Sequence, residues 1–295
     1  MRVFYVVIFF LLFKWTCFGQ TLELTNLDVG LVAQVNQGNS YVTFPIDIGN
    51  IESLIFEANL IPNFMLRQSK AARLMGVITP QMIIRMYDVH SYPVKTPSYM
   101  PQMTAYYLIG NRKQKELLTI FGRLGHHSNG QQDTLILEDG SINFESGNFA
   151  TNYVELGGIV TTLNRKTNVV RFFKTSLEYH PENYTHELYQ ERFSRYRWHN
   201  EFSAFKMPLE QDDYLKKAAI SLELKTTWLF GDLAGLPTFS LDRLQASLTF
   251  SYYPKVVEDF GLFVQLYSGK DYYNVYYDKY RSMIRFGLMT NKLRF

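Results

Sequence analysis

From Ser40 to the C-terminus, short stretches rich in β-branched and aromatic residues recur, separated by clusters of turn-forming and polar residues. They run over Ser40–Ile48, Thr79–Asp88, Met103–Asn111, Glu116–Leu124, Tyr153–Thr162, Asn168–Glu178, Ser194–Phe205, Lys217–Phe230, Arg243–Tyr253, Phe260–Ser268 and Arg281–Asn291. With a less defined stretch near Ile51–Pro62, about twelve strands are predicted. Alternation is visible within them, as in Ala219, Ser221 and Glu223 against Ile220, Leu222 and Leu224. Strands of about ten residues cross a bilayer when tilted. After residue 20 there is no apolar run of the roughly 18 residues that would mark a transmembrane helix, which excludes a helical membrane protein. Closing the strands into a barrel would remove the edges that so many β segments otherwise expose. No internal repeat or linker interrupts residues 20–295. The expectation is therefore all-β: one transmembrane antiparallel β-barrel domain, ending at Phe295 with an aromatic residue on the last strand, as an assembly signal would.

The N-terminus reads differently. Arg2, an apolar stretch from Val3 to Phe13, Lys14 and a small-residue exit at Gly19 form the charged, apolar, small sequence of a secretory signal peptide over residues 1–19. The apolar stretch is too short for a transmembrane helix. The single cysteine, Cys17, lies within it, so a chain starting at Gln20 has neither disulfides nor thiol chemistry. Arg2 and Lys14 account for two of the formal +3, leaving +1, a balance that does not suggest nucleic acid.

Composition sharpens the fold. The chain holds 23 Phe and 21 Tyr, yet its mean hydropathy is only −0.15. A secreted β-sandwich with this many rings would bury them beside many Leu and Val. A membrane barrel instead faces apolar residues to lipid and polar ones to the lumen, with aromatic girdles at the interfaces. The cluster Tyr272, Tyr273, Tyr276, Tyr277 and Tyr280 is expected in such a girdle or in a loop, and His180, His186 and His199 in a polar extracellular loop.

Candidate chemistry concentrates at Gly125-His126-His127-Ser128-Asn129-Gly130. On a strand, His126 and Ser128 share one face and His127 takes the other. An imidazole can then take the hydroxyl proton and activate Ser128 as a nucleophile, provided a third group orients the ring. The tripeptide alone is common by chance, and Asn129-Gly130 is also a turn signal.

The His-X-Ser-Asn-Gly stretch resembles the active-site motif of the outer membrane phospholipase A family. Two further segments agree in order: Ser91 to Gln102, similar to that family's Ser-Pro-aromatic-Arg…Asn-Tyr-X-Pro-Gln stretch, and the C-terminal Gln265 to Gly269 with Asp278, Arg285, Gly287, Asn291 and Phe295. The likeness covers residues 90 to the end. It implies a twelve-stranded barrel in the outer membrane of a Gram-negative bacterium, with its active site on the lipid-facing wall. It also implies calcium-dependent, dimer-linked hydrolysis of acyl esters of phospholipids and lysophospholipids, a phospholipase A1/A2 activity. Residue by residue, the resemblance makes Ser128 the nucleophile, His126 the general base, Asn152 the orienter with Asn148 as runner-up, and Gly130 part of the oxyanion hole. Calcium would be held among Gln131, Asn148, Asp133 and Ser91. Two departures stand out: the loop between Ser128 and Asn152 is longer than the family's, with Gln131 where the family has Arg, and Tyr92 stands beside the expected serine contributed by the partner, leaving Ser91 for that role. The acidic residues Asp133, Glu138, Asp139 and Glu145 offer hard oxygen ligands, or form an ordinary solvated loop. Lipid A deacylase, which uses a similar motif with an acidic orienter on a smaller barrel, and a non-enzymatic porin-like or degenerate barrel are the alternatives.

Overall fold

The computed structural model describes residues 28–293 except 45–47, 49–52, 70, 92, 111–115, 165, 182–192, 208–217, 234 and 258. The expected leader with Cys17, and Tyr92, His186 and Phe295, lie outside the described residues.

The chain enters through a helix that the strand pattern did not predict, α1 (Val29–Asn36). Asp28 caps it, its Oδ1 accepting from Leu31 N at 2.8 Å, and pairs with Arg67 at 2.8 Å. Its sequence, VGLVAQVN, is apolar nearly all round, and such a helix has to be buried on every side. Then follow β1 (Tyr41–Thr43), β2 (Leu54–Leu60), β3 (Phe64–Leu66), β4 (Leu74–Tyr87), β5 (Val94–Ile109), β6 (Glu116–Ser128), β7 (Ala150–Asn164), β8 (Val169–Tyr179), β9 (Tyr196–Lys206), β10 (Ile220–Phe230), β11 (Leu244–Tyr252), β12 (Phe260–Lys270) and β13 (Tyr280–Thr290). Sequential strands pair antiparallel from β4 to β13. The ring closes through β13–β1, β1–β2 and β2–β4, and β3 pairs with β4 alone. Twelve strands thus form a closed antiparallel barrel, as expected from the sequence.

Several strands differ in extent from the sequence reading: β4 begins at Leu74 rather than Thr79, and β6 runs on past Leu124 to Ser128. The stretch from Ser40 contributes only Tyr41–Thr43 to regular pairing, continued by Phe44 N to Phe286 O at 2.8 Å and Ile48 N to Ile284 O at 3.0 Å. Conversely β5 starts at Val94 rather than Met103, because Pro97 and Pro101 read as breakers yet are accommodated in the wall.

Strict alternation then sorts every side chain. On β6, Leu118, Ile120 and Leu124 face outward and exposed, while Leu117, Thr119 and Phe121 are buried inside. The same parity exposes Leu222 and Leu224, Leu262 and Val264, and Ile284 and Leu288, an apolar belt that belongs in hydrocarbon.

The lumen is filled in three layers. At one end α1 packs its Val29, Leu31, Val32 and Val35 against Met75, Leu108, Leu117, Phe172 and Phe205. In the middle lie buried ion pairs. Glu57 accepts from Tyr41 Oη (2.5 Å), Arg85 Nε (2.7 Å), Arg285 Nη1 (2.5 Å) and Tyr272 Oη (2.6 Å). Arg85 also grips Asp271 with two bonds of 2.8 and 2.9 Å. At the other end, the turn after β12 folds inward as an aromatic cap, with Tyr273, Tyr276 and Tyr277 buried beside Phe149 and Phe193. Of the tyrosines expected in a girdle or a loop, Tyr280 faces outward on β13 and the others lie in the β12–β13 loop, which the Asp271–Arg85 pair draws into the barrel mouth.

Glu57→Ala strips a shared carboxylate from two buried guanidiniums. We expect a stability loss of about 3–5 kcal/mol, read as a lowered urea midpoint of the refolded barrel; a loss within about 0.5 kcal/mol, the size of an ordinary surface change, would show the layer to be hydrated rather than tightly paired.

Candidate functional site on the outer wall

His126 and Ser128 end β6, and Asn152 begins β7. The register sets His126 directly opposite Asn152 and Ser128 opposite Ala150. By parity all three face outward, and each is partly exposed, whereas His127 points into the lumen and packs edge-on against Phe149 at 4.8 Å. His126 Nδ1 and Asn152 Oδ1 are 2.9 Å apart. An amide oxygen can only accept, so this bond puts a proton on Nδ1, and in the neutral ring Nε2 is then the acceptor. That is the tautomer a base needs. No hydrogen bond joins Ser128 Oγ to the ring here; the two residues are next neighbours on one strand face, the spacing that substrate-free sites commonly show before tightening.

On the other side, Tyr99 of β5 stands opposite Ser128. The ladder resumes only at Gln102 opposite Gly125, because Pro101 has no N–H to give. Gly130 follows at φ +67°, and a Cβ there would lie 3.3 Å from the Tyr99 ring, so both backbone and space call for glycine.

The sequence reading of Asn129 as a turn residue understated it. Buried to 1% exposure, it donates Nδ2 to Gly147 O (2.8 Å) and accepts from Phe149 N (2.9 Å) and Gln131 N (3.3 Å). This staple folds the long insertion back on itself. Within it Asn148 N donates to Asp133 O at 2.9 Å, and Asp133 bridges Gly147, so Gln131, Asp133 and Asn148 gather at the base of one loop. Ser91 lies apart in the β4–β5 turn at φ +69°, its Oγ 3.4 Å from His90 Nδ1. Asn148 sits on this loop; the residue bonded to His126 is Asn152. Asp139 binds Ser141, and among the described residues no group of three or more His, Cys, Asp or Glu is arranged to hold a metal.

The architecture has solved counterparts. The chain superposes on outer membrane phospholipase A from Escherichia coli with a TM-score of 0.57 at 16% identity, over 87% of this chain and 91% of that one. The fold is that of outer membrane phospholipase A. The Salmonella typhi outer membrane phospholipase dimer with bound calcium matches at 0.57 and 14%, over 88% and 96%. No protein-family model and no curated protein matches the chain by sequence.

Of the histidines expected in a loop, His180 does lie past the end of a strand and His199 does not, and both face the lumen behind the site. His199 lies on β9, and His180 is buried just past β8, its Nε2 2.7 Å from Glu178 and its Nδ1 2.9 Å from Thr151 Oγ1. Burial, helped by the Arg197 guanidinium, holds the His180 pKa below its ordinary value. The unfolded chain then takes up a proton below about pH 6.5 that the folded one refuses. The stability His180 contributes is therefore complete above that pH and lost as the pH falls. Melting temperatures should drop from pH 8 to pH 5, and His180→Gln should flatten part of that drop; an unchanged slope would count against it.

Removing the staple is the second test. Asn129→Ala leaves two backbone N–H groups and a carbonyl unpaired, a local cost of about 1–3 kcal/mol each. Limited proteolysis should then cut within residues 131–147 while the barrel keeps its heat-resistant mobility, and an uncut loop would refute the staple.

Proposed function

We propose that this barrel is an outer-membrane phospholipase that hydrolyses acyl esters with Ser128, His126 and Asn152, working as one domain of residues 20–295 after removal of a signal peptide over 1–19. The observation that carries the reading is the Nδ1–Oδ1 bond from His126 to Asn152 on the lipid-facing wall, with Ser128 on the same face. A site that faces lipid instead of lumen suits a substrate that is itself membrane lipid.

Ser128 Oγ attacks the ester carbonyl carbon while its proton passes to His126 Nε2. The carbonyl electrons move to oxygen, where the Gly130 N–H, two residues past the nucleophile, is the donor assigned to it, the intervening Asn129 N–H being spent on Phe149 O. Collapse expels the lysophospholipid alkoxide, which takes the proton from His126. Water, deprotonated by the same ring, then releases the fatty acid and restores Ser128. Asn152 holds the ring without placing a second charge near hydrocarbon, where an unpaired carboxylate costs much to desolvate. The neutral orienter favours this reading over a lipid A deacylase, whose orienter is acidic. A lumen filled by α1 and by ion pairs is a poor conduit, which weighs against a porin.

Calcium fits the donor chemistry. Gln131, Asp133 and Asn148 offer oxygen only, the choice of a hard cation, on backbone that the Asn129 staple and the Asp133–Asn148 bond hold together. Such an ion would supply positive charge to a developing oxyanion. A solved counterpart is a calcium-bound dimer, and Ser91, on the neighbouring turn, is where a partner barrel would contribute. Phospholipids of a Gram-negative outer membrane are the substrate, the sn-1 and sn-2 esters both being open.

Fatty-acid release from phospholipid mixed micelles is the test. Ser128→Ala and His126→Ala should each lower kcat by about 10⁶, and Asn152→Ala by roughly 10²–10⁴ through loss of base function. Chelation should suppress release, and Asn148→Ala should raise the calcium concentration needed to restore it. If folded wild type and Ser128→Ala release equal amounts, the hydrolase reading fails; Ser128-dependent release indifferent to chelator removes only the calcium.

A further inference from the structure

Inside the barrel, beside the C-terminal end of α1, the described residues supply one cation more than their carboxylates match. Arg123 bonds to Glu155 at 2.7 Å, Lys225 to Glu201 at 3.3 Å and Lys292 to Glu223 at 3.0 Å. Lys174 is left over. It is 7% exposed, and among the described residues the only carboxylate its Nζ reaches is Glu155, at 3.3 Å. Glu155 is already engaged by Arg123 and by Ser176 Oγ at 2.6 Å. Nearby carboxylates have no charge to lend. Glu57 is shared by Arg85 and Arg285, Asp271 by Arg85 and Arg281, and Glu178 by Arg197 and His180. A buried charge without a counterion is costly.

Arg123, Lys174, Lys225 and Lys292 all border one luminal cavity of about 280 Å³. Gln37, the residue that follows α1, lines it too and is 4% exposed. Its Oε1 accepts from Thr79 Oγ1 at 3.4 Å, while its Nε2 has no acceptor among the described residues. A surplus ammonium and a free amide donor on one cavity call for the same occupant, one with lone pairs and a negative charge. Water supplies the lone pairs but not the charge.

We infer that this cavity is a binding site for one small inorganic anion, held by Lys174 and Gln37 with Lys225 and Lys292 around it. Ammonium groups are compact charges with three rotatable donors, which suits a small anion of any shape. The strands separate the cavity from the bilayer, so its occupant comes from water and is not a lipid head group. Tyr153, next to Asn152 on β7, borders the cavity, so the anion also braces the inner side of the wall that carries the candidate site. The inference stands whether or not the barrel hydrolyses lipid.

Phosphate is the probe, and lactobionate, a disaccharide acid too bulky for the cavity, is the reference anion. The full chain is refolded in neutral detergent at constant ionic strength, with sodium lactobionate or with labelled sodium phosphate. Wild type should retain one phosphate per barrel, and its urea midpoint should rise with phosphate in the way of a ligand bound only by the folded state. Lys174→Met removes the surplus charge and should abolish both effects, with a midpoint in lactobionate no lower than that of wild type. Lys166→Met, in the exposed β7–β8 turn, should change neither. Gln37→Leu should weaken binding by roughly 10- to 150-fold, the range of a hydrogen bond to a charged group, and decides the matter if Lys174→Met does not fold. Heat-modifiable mobility checks the folding of each variant. A wild type that retains no phosphate, binding kept by Lys174→Met, binding lost equally by Lys166→Met, or an unchanged affinity in Gln37→Leu would each overturn the proposal, leaving a cavity that holds water only.

Discussion

Everything in this protein rests on the requirement that backbone N–H and C=O groups have partners where no water can supply them. A sheet meets it only by closing. Here closure depends on a short piece of chain: Tyr41–Thr43 bonds to β13 on one side and β2 on the other, and β2 turns the ring back onto β4. Once the ring is closed, no strand can slip by one residue without turning its apolar face inward. That rigidity of parity assigns each side chain to lipid or lumen.

The candidate site follows from parity and register together. Parity puts His126, Ser128 and Asn152 on the outside; the β6–β7 register brings the ring of one strand to the amide of the next. Asn129 and Gly130 then stop the strand at Ser128, one by stapling the loop and the other by adopting a backbone conformation that other residues resist. The barrel thus presents on a flat wall an ordered row of hydroxyl, imidazole and amide, open on its outer side.

The interior has a different task. A barrel this wide has more lumen than its strands' side chains fill with apolar packing, and the charged middle layer is the solution adopted here. Arg85, Glu57, Asp271 and Arg285 satisfy one another at 2.5–2.9 Å. Each ion is costly to bury alone and tolerable only in company. Because Asp271 belongs to the β12–β13 turn, the same network draws the tyrosine cap down over the lumen, behind His127 and Phe149. Stability of the mouth and support of the wall that carries the site are therefore linked through side chains remote from the chemistry.

Alternation and strand number were legible in the amino-acid order, because a residue's face on a strand depends only on local geometry; the ends of β1, β4, β5 and β6 were not. So were His126 and Ser128 as a pair, since two-residue spacing on one strand needs no knowledge of the fold. Asn152 could be assigned only through resemblance, and the cross-strand register then brought it to His126. Other features stayed hidden because they join distant parts of the chain. Helix α1 reads as a short apolar run until a lumen exists to bury it. The tyrosines of 272–277 read equally as a girdle or a loop; they lie in the β12–β13 loop, and only the meeting of Asp271 with Arg85, 186 positions away, folds that loop into the lumen. His199 looks like a loop residue until β9 turns it inward toward Glu178, and His180, in the loop just past β8, is drawn to the same carboxylate. Periodicity carries face; only the closed barrel decides which distant charges, rings and amides come to share it.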